Sequence, residues 1–142
     1  MSQSKVFLLD ASAIVAVLTR ENGWVVVEKV LATGNAKATP IALAEAMGTI
    51  RRKLKIEAQA VLESITALGL EIVHLEREDA LEIDRVKEIA ESVSKAHKKP
   101  RQLSIADASC LAVGRRLGAS VVFSDSFWEI LGLEALQLFP FR

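Results

Sequence analysis

Two periods of hydrophobicity alternate along the chain. Short apolar runs, several rich in β-branched residues, predict strands at residues 6–9, 37–39, 71–75, 120–123 and 136–139. Apolar residues spaced three and four positions apart predict helices over residues 11–18, 22–34, 40–54, 56–68, 77–96, 104–117 and 126–131. Because strands alternate with helices, the pattern predicts an α/β fold with a mostly parallel sheet covered on both faces.

Residues that favour helix ends mark the boundaries between these elements. Asn22 is the predicted N-cap of the second helix, and Pro40 fits the first turn of the third. Gly34, Gly69 and Gly118 are placed to end the second, fourth and sixth predicted helices. The sequence contains no internal repeat, low-complexity tract or linker, so residues 1–142 are predicted to form a single domain.

Composition narrows the class of protein. The 142 residues are 51% hydrophobic and 25% charged, which is typical of a folded soluble chain. The 18 basic and 18 acidic residues balance, so nucleic acid could be bound only through local basic clusters. A single cysteine, Cys110, excludes an intrachain disulfide and a thiolate zinc cage. With neither a signal peptide nor a membrane-spanning apolar run, a cytoplasmic protein is expected.

Isolated acids interrupt the most apolar stretches. KVFLLDASAIVAVL contains Asp10, PIALAEAMG contains Glu45, and LSIADASCLAV contains Asp107. Removing a carboxylate from water is costly unless hydrogen bonds or a cation compensate it. Asp10 and Asp125 also follow predicted strands, and α/β sheets of this kind bind ligands at the carboxyl ends of their strands.

Each aspartate also has a purely structural explanation. Asp10 and Asp125 are placed to cap the helices that follow them, and Ser104 with Asp107 has the spacing of a capping box. Taken singly, a cap is the simpler interpretation of each. Glu45 lies too far into its helix to be a cap, and no other polar side chain occurs between residues 40 and 48. Its structural alternative is a lone surface glutamate.

The four acids together indicate a metal site. Converging carboxylates would repel one another and raise their own pKa values, and a divalent cation removes that difficulty. Oxygen ligands without imidazole suit Mg²⁺ or Mn²⁺ rather than zinc. Such ions hold phosphate oxygens and activate water. The pattern therefore predicts metal-dependent phosphate chemistry.

At these residues the chain resembles PIN-domain ribonucleases, and most of all the toxin subunits of bacterial and archaeal toxin–antitoxin pairs. The matching segments are VFLLDASAIVAVL, PIALAEAMGTIRRKL, LSIADASCLAVGRRLGASVVFSD and ILGLEALQLFP. The resemblance implies a three-layer α/β/α, Rossmann-like fold and Mg²⁺- or Mn²⁺-dependent cleavage of single-stranded RNA. It assigns the catalytic, metal-binding quartet to Asp10, Glu45, Asp107 and Asp125.

The resemblance also assigns roles to two hydroxyls. Ser12 and Ser124 match the small hydroxyl residues near the first and fourth acids, and they would orient a metal-bound water or a ligand carboxylate. Hydrogen bonding at a helix start is the alternative. Phe127 departs from the family pattern, since many relatives carry a further acid there. This departure puts a second metal site in doubt.

Partners are expectations of the same resemblance. Arg52, Lys98, Lys99 and Arg101 are candidate contacts to RNA phosphates, although a solvated helix end also explains the basic segment before Ser104. An antitoxin and a homodimer are expected from the family. The apolar patch at Trp24 could in part form a groove for a partner helix.

Three functions agree with these observations. The first is an endoribonuclease toxin, the second a PIN-fold RNA-processing nuclease without an antitoxin, and the third a non-catalytic PIN-fold interaction module. A dehalogenase-type phosphatase is disfavoured because DAS lacks the second Asp of its DxD motif. Dinucleotide binding is disfavoured because no glycine-rich loop follows the first strand.

Overall fold

Strands and helices alternate through the computed structural model, which describes residues 5–97 and 101–142. The strands are β1 (Phe7–Leu9), β2 (Ala36–Ala38), β3 (Glu71–Ile72), β4 (Ser120–Phe123) and β5 (Gln137–Pro140). The α-helices are α1 (Ala11–Thr19), α2 (Trp24–Ala32), α3 (Pro40–Leu54), α4 (Ala58–Ala67), α5 (Asp79–Lys95) and α6 (Ile105–Leu117). A 3-10 helix covers Ser126–Ile130.

The strands form one parallel sheet. Their order is β3-β2-β1-β4-β5, and every neighbouring pair is parallel. β1 is central, with Phe7 in register with Ala36 on one side and Ser120 on the other. The central strands β1 and β4 are short, apolar and largely buried, and the sheet confirms the predicted α/β class.

Helices cover both faces of the sheet. Leu9 and Val122 pack in a core with α1, α2, α3 and α4. Leu8 and Val121, one residue earlier in each strand, pack in a second core with α5 and α6. Successive strand side chains point to opposite faces, so each residue of such a pair joins a different core. The predicted three-layer α/β/α arrangement is confirmed.

The topology brings the candidate acids to one edge. Parallel strands all end at the same edge, so α1 and α3, which follow β1 and β2, begin there. Helix α6 leads back into β4 and therefore also begins at that edge. Asp10, Glu45 and Asp107 lie at or within the first two turns of these three helices, and Asp125 follows the end of β4 at the same edge.

The predicted N-cap of the second helix is wrong by one residue. Gly23, with a left-handed φ of 90°, is the N-cap of α2, rather than Asn22. A Cβ at Gly23 would stand 2.7 Å from the Phe141 carbonyl oxygen. Only glycine accommodates both the backbone conformation and this approach of the C-terminal segment. The contact is tertiary, so local periodicity could not predict it.

Other boundaries shift for local reasons. β3 ends at Ile72 rather than residue 75, and α5 begins at Asp79 rather than 77, because the Asp79 carboxylate accepts a hydrogen bond from the Glu76 amide at 2.8 Å. The short helix after β4 is a 3-10 helix, since the Trp128 amide donates to the Asp125 carbonyl three residues back. Across the described residues, no helix is long and apolar enough to span a bilayer.

Candidate active site

Asp10 is a buried carboxylate at the end of β1. It is 5% exposed and is the N-cap of α1, accepting a hydrogen bond from the Ala13 amide at 2.8 Å. The Ser12 hydroxyl lies 2.7 and 2.9 Å from its two oxygens. The cap predicted from the sequence is therefore present. For a carboxylate this deeply buried, one amide and one hydroxyl are few hydrogen-bond donors.

Asp107 and Asp125 are also placed by helix starts. Ser104 is the N-cap of α6, and its hydroxyl accepts from the Asp107 amide at 3.0 Å, as the capping-box spacing predicts. Asp125 is the N-cap of the 3-10 helix and accepts from the Phe127 amide at 3.0 Å. The capping interpretation holds for both positions. It leaves the site interpretation open, because the charges of Asp125 and Glu45 contribute to raising the pKa of Asp107.

Glu45 lies on the second turn of α3 and is exposed to solvent. Exposure agrees with the structural alternative of a surface glutamate. Its charge nevertheless contributes to raising the pKa of the buried Asp10 and of the half-buried Asp107. Glu45 is therefore an exposed member of the same electrostatic group.

The pKa values of Asp10 and Asp107 are raised. Burial, aided by the charges of Asp107 and Glu45, raises the pKa of Asp10 to about 7, against the opposing hydrogen bonds from Ser12 and Ala13. Burial, then the charges of Glu45 and Asp125, raises the pKa of Asp107 to about 6, although hydrogen bonding to Ser104 opposes the shift. All four predicted acids thus interact electrostatically at one edge of the sheet.

The donor chemistry fits a hard divalent cation. Within residues 5–97 and 101–142, no three acidic, imidazole or thiol groups stand close enough to form a ready-made metal cage. The interacting donors are carboxylates whose repulsion a cation would relieve. Cys110 also feels the charges of Asp10 and Asp107. Burial, aided by these charges, raises the pKa of its thiol well above the ordinary value. A neutral thiol leaves an all-oxygen donor set.

Two hydroxyls connect the ends of β1 and β4. The Ser124 hydroxyl donates to the Ser12 hydroxyl at 3.0 Å, and Ser12 in turn donates to Asp10. This chain fixes the rotamer of the Asp10 carboxylate from the neighbouring strand. Sequence analysis singled out both serines, but the direct contact between residues 112 positions apart has no local signal.

An arginine pair at Asp125 was not predicted. Arg101 Nη2 lies 2.5 Å from Asp125 Oδ2, and the guanidinium lies 5.5 Å from the centre of the Phe127 ring. Phe127 itself is buried in the core formed with α5 and α6. Sequence analysis predicted Arg101 as a contact to RNA phosphates. The structure adds an acidic partner, Asp125, which lies 24 residues away in the sequence.

The other candidate RNA contacts divide into two groups. Arg52 is exposed, lies two turns beyond Glu45 on α3, and donates to the Thr49 hydroxyl at 3.3 Å. Lys98 and Lys99 lie outside the described residues. Of the apolar patch at Trp24, Val25 is 44% exposed whereas Val27, Val30 and Leu31 are core residues. The exposed part of that patch is smaller than the sequence suggested.

The comparison with protein families matches the PIN domain over residues 7–129, a range that contains all four acids. The chain belongs to the PIN domain family. PIN domains are generally nucleases that use divalent metal ions. None of the curated proteins matches the sequence significantly.

Solved structures share the fold of this PIN domain. VapBC2 from Rickettsia felis, bound to a promoter DNA fragment, aligns with a TM-score of 0.70 and 18% identity, covering 95% of this chain and 98% of that chain. DNA-bound VapBC from Salmonella typhimurium aligns with a TM-score of 0.70 and 18% identity, covering 98% of this chain and 100% of that chain. VapC20 from Mycobacterium tuberculosis, a sarcin-ricin loop cleaving toxin, aligns with a TM-score of 0.58 and 16% identity, covering 92% of this chain and 98% of that chain. At these identities the similarity establishes the fold alone.

Proposed function

We propose that this PIN domain, as one unit over residues 1–142, is a Mg²⁺- or Mn²⁺-dependent endoribonuclease. It cleaves phosphodiester bonds of single-stranded RNA in the cytoplasm as the toxin of a toxin–antitoxin pair. The observation that carries the proposal is the placement of four carboxylates at the carboxyl edge of the sheet, where the pKa values of Asp10 and Asp107 are raised. Acids arranged in this way favour binding of a hard cation.

Each residue of the site has a role in this proposal. Asp10 and Asp107 would hold the cation, with Glu45 and Asp125 completing its ligands. The chemistry supplied by bound Mg²⁺ or Mn²⁺ is activation of water and stabilisation of charge on the leaving oxygen. Ser12, supported by Ser124, keeps the Asp10 carboxylate in its orientation.

Local basic side chains would bind the RNA backbone. The net charge is zero, so attraction must come from positions near the acids. Arg52 is exposed on the helix that carries Glu45, and Arg101 is exposed beside Asp125. We include Lys98 and Lys99 in this set because they precede Arg101 in the chain.

RNA cleavage by the purified protein tests the catalytic assignment. We expect cleavage of single-stranded RNA with Mg²⁺ or Mn²⁺, loss of cleavage in EDTA, and a decrease of at least about 100-fold in Asp10→Asn, since removal of one stabilising group at such a site commonly costs that much. Asp84→Asn, an exposed acid on α5, is the matched control and should cleave normally. Undiminished cleavage by Asp10→Asn would refute the assignment.

The toxin role needs a test of its own. The VapBC neighbours are complexes, which supports an antitoxin partner here, and a homodimer is proposed on the family resemblance. Expression of the chain alone should arrest growth, and Asp10→Asn should relieve the arrest. RNA cleavage in vitro without growth arrest would favour an RNA-processing nuclease.

A non-catalytic interaction module is the second candidate. Phe127 replaces an acid found in many relatives, and Arg101 already neutralises Asp125. Both observations favour loss of metal binding. Absence of Mn²⁺ binding at millimolar concentration would select this alternative.

A further inference from the structure

Arg101 is held in place at both its backbone and its side chain. Its amide donates to the Ser94 hydroxyl at 2.6 Å, and Ser94 is buried on α5. Two residues later, the Leu103 carbonyl accepts from Lys87 Nζ at 2.9 Å, again on α5. The segment 101–103 is thus fastened to α5 by two hydrogen bonds. From this position the Arg101 guanidinium reaches the end of β4.

The guanidinium occupies one side of Asp125. Asp125 Oδ2 lies 2.5 Å from Arg101 Nη2, while Oδ1 accepts from the Phe127 amide. Both carboxylate oxygens therefore have a donor. A divalent cation binding Asp125 would stand close to a fixed positive charge, and like charges at such separations repel strongly where water is partly excluded.

Phe127 makes this arrangement possible. Its ring lies 5.5 Å from the guanidinium carbon, within the range of a cation–π contact. An acid at this position would offer Arg101 a competing carboxylate, whereas the aromatic face supports the guanidinium without diverting it from Asp125. The departure from the family pattern at Phe127 and the Arg101–Asp125 pair therefore belong to one local structure.

We propose that Arg101 competes with the divalent cation for Asp125 and so lowers the metal affinity of the site. Arg101 is a positioning residue, since it acts on the cation through Asp125. When Asp125 binds the cation instead, Arg101 becomes available for an RNA phosphate, which is the role predicted for it from the sequence. The inference rests on the proposed metal-dependent function.

Calorimetric titration with Mn²⁺, in the absence of RNA, measures this competition. Arg101→Gln should bind Mn²⁺ about three- to tenfold more tightly than the wild type, a range that corresponds to the energy of one partly exposed ion pair. Asp125→Asn and the double variant Arg101→Gln/Asp125→Asn should bind with equal affinity, because the carboxylate for which the two cations compete is gone. Arg85→Gln is the matched control.

Arg85 is also a partly exposed arginine paired with a carboxylate, that of Glu82 on the same helix. Its substitution should leave the Mn²⁺ affinity within about twofold, since Glu82 is not part of the site. Binding by Arg101→Gln where the wild type shows none would support the proposal. Circular dichroism of each variant confirms that the fold is retained.

The possible failures are distinguishable. Equal or weaker Mn²⁺ binding by Arg101→Gln, with measurable wild-type binding, overturns the competition and leaves the proposed function standing. If Arg101→Gln also tightens Mn²⁺ binding when Asp125 is already asparagine, the competition is overturned too. The gain in affinity would then come from the removal of a positive charge in general. Absence of binding in every variant overturns the proposed function and the competition together.

Discussion

Asp10 combines two effects of opposite sign on stability. As an N-cap it stabilises α1 by about 1 kcal/mol, the ordinary value for this interaction. As a buried acid it destabilises the fold when ionised, because burial raises its pKa to about 7. An N-cap does not have to be buried, and the proposed metal site would account for the burial of this carboxylate.

The free energy of unfolding as a function of pH, measured in EDTA, tests whether ionised Asp10 destabilises the fold. The pKa of Asp10 rises from 3.8 to about 7 on folding, so its contribution to stability is full below pH 4 and is lost as the pH rises through 7. Asparagine also caps helices. Asp10→Asn should therefore be more stable than the wild type at pH 8 by up to about 4 kcal/mol, at 1.36 kcal/mol per pKa unit, and not at pH 4.

Urea unfolding at the two pH values gives these free energies directly. Asp84→Asn is again the control, since this side chain is exposed. The same difference between Asp10→Asn and wild type at both pH values would show that Asp10 does not ionise at a cost in the fold.

At the scale of elements, the most constrained contact is between α6 and β4. A Cβ at Gly114 would stand 2.4 Å from Val121 Cγ2 and 3.6 Å from Leu8 Cδ2. Glycine in a helix interior normally destabilises the helix by about 1 kcal/mol relative to alanine. Here it allows α6 to approach the central strands, which places the start of the helix, with Asp107, at the edge of the sheet.

Substitution at two helical glycines separates these effects. Gly114→Ala should lower the free energy of unfolding by about 1–3 kcal/mol, because overpacking against Val121 outweighs the gain in helix propensity. Gly48→Ala on α3 has only Arg52 Nη1 at 3.6 Å from the added Cβ, and it should stabilise by up to about 1 kcal/mol. Denaturant unfolding of both variants checks the pair, and stabilisation by Gly114→Ala would contradict the packing.

The sequence predicted the elements better than the contacts between them. Strong periodicity identified the helices and strands, because it reflects which side chains each element buries. Gly23 and Arg101 were missed in their structural roles because their determining partners, Phe141 and Asp125, lie far away in the chain. The sequence singled out Asp10, Glu45 and Asp107 as candidates because each stands alone among apolar residues, and Asp125 because it follows a predicted strand; neither signal depends on tertiary structure.

At the scale of the whole molecule, function depends on topology. A parallel sheet ends all its strands at one edge, and α1, α3 and α6 begin there, so acids from four segments of the chain are placed at that edge without being neighbours in the sequence. The neighbouring acids contribute to the raised pKa values of Asp10 and Asp107, and the proposed cation would offset this repulsion.

A crystal grown with Mn²⁺ tests the central claim most directly, because anomalous scattering locates the ion without reference to activity. We predict an anomalous peak in contact with carboxylate oxygens of Asp10 and Asp107, with Glu45 or Asp125 as a further ligand. A structure from millimolar Mn²⁺ with no peak at these carboxylates, or with Mn²⁺ bound only elsewhere, would contradict the account.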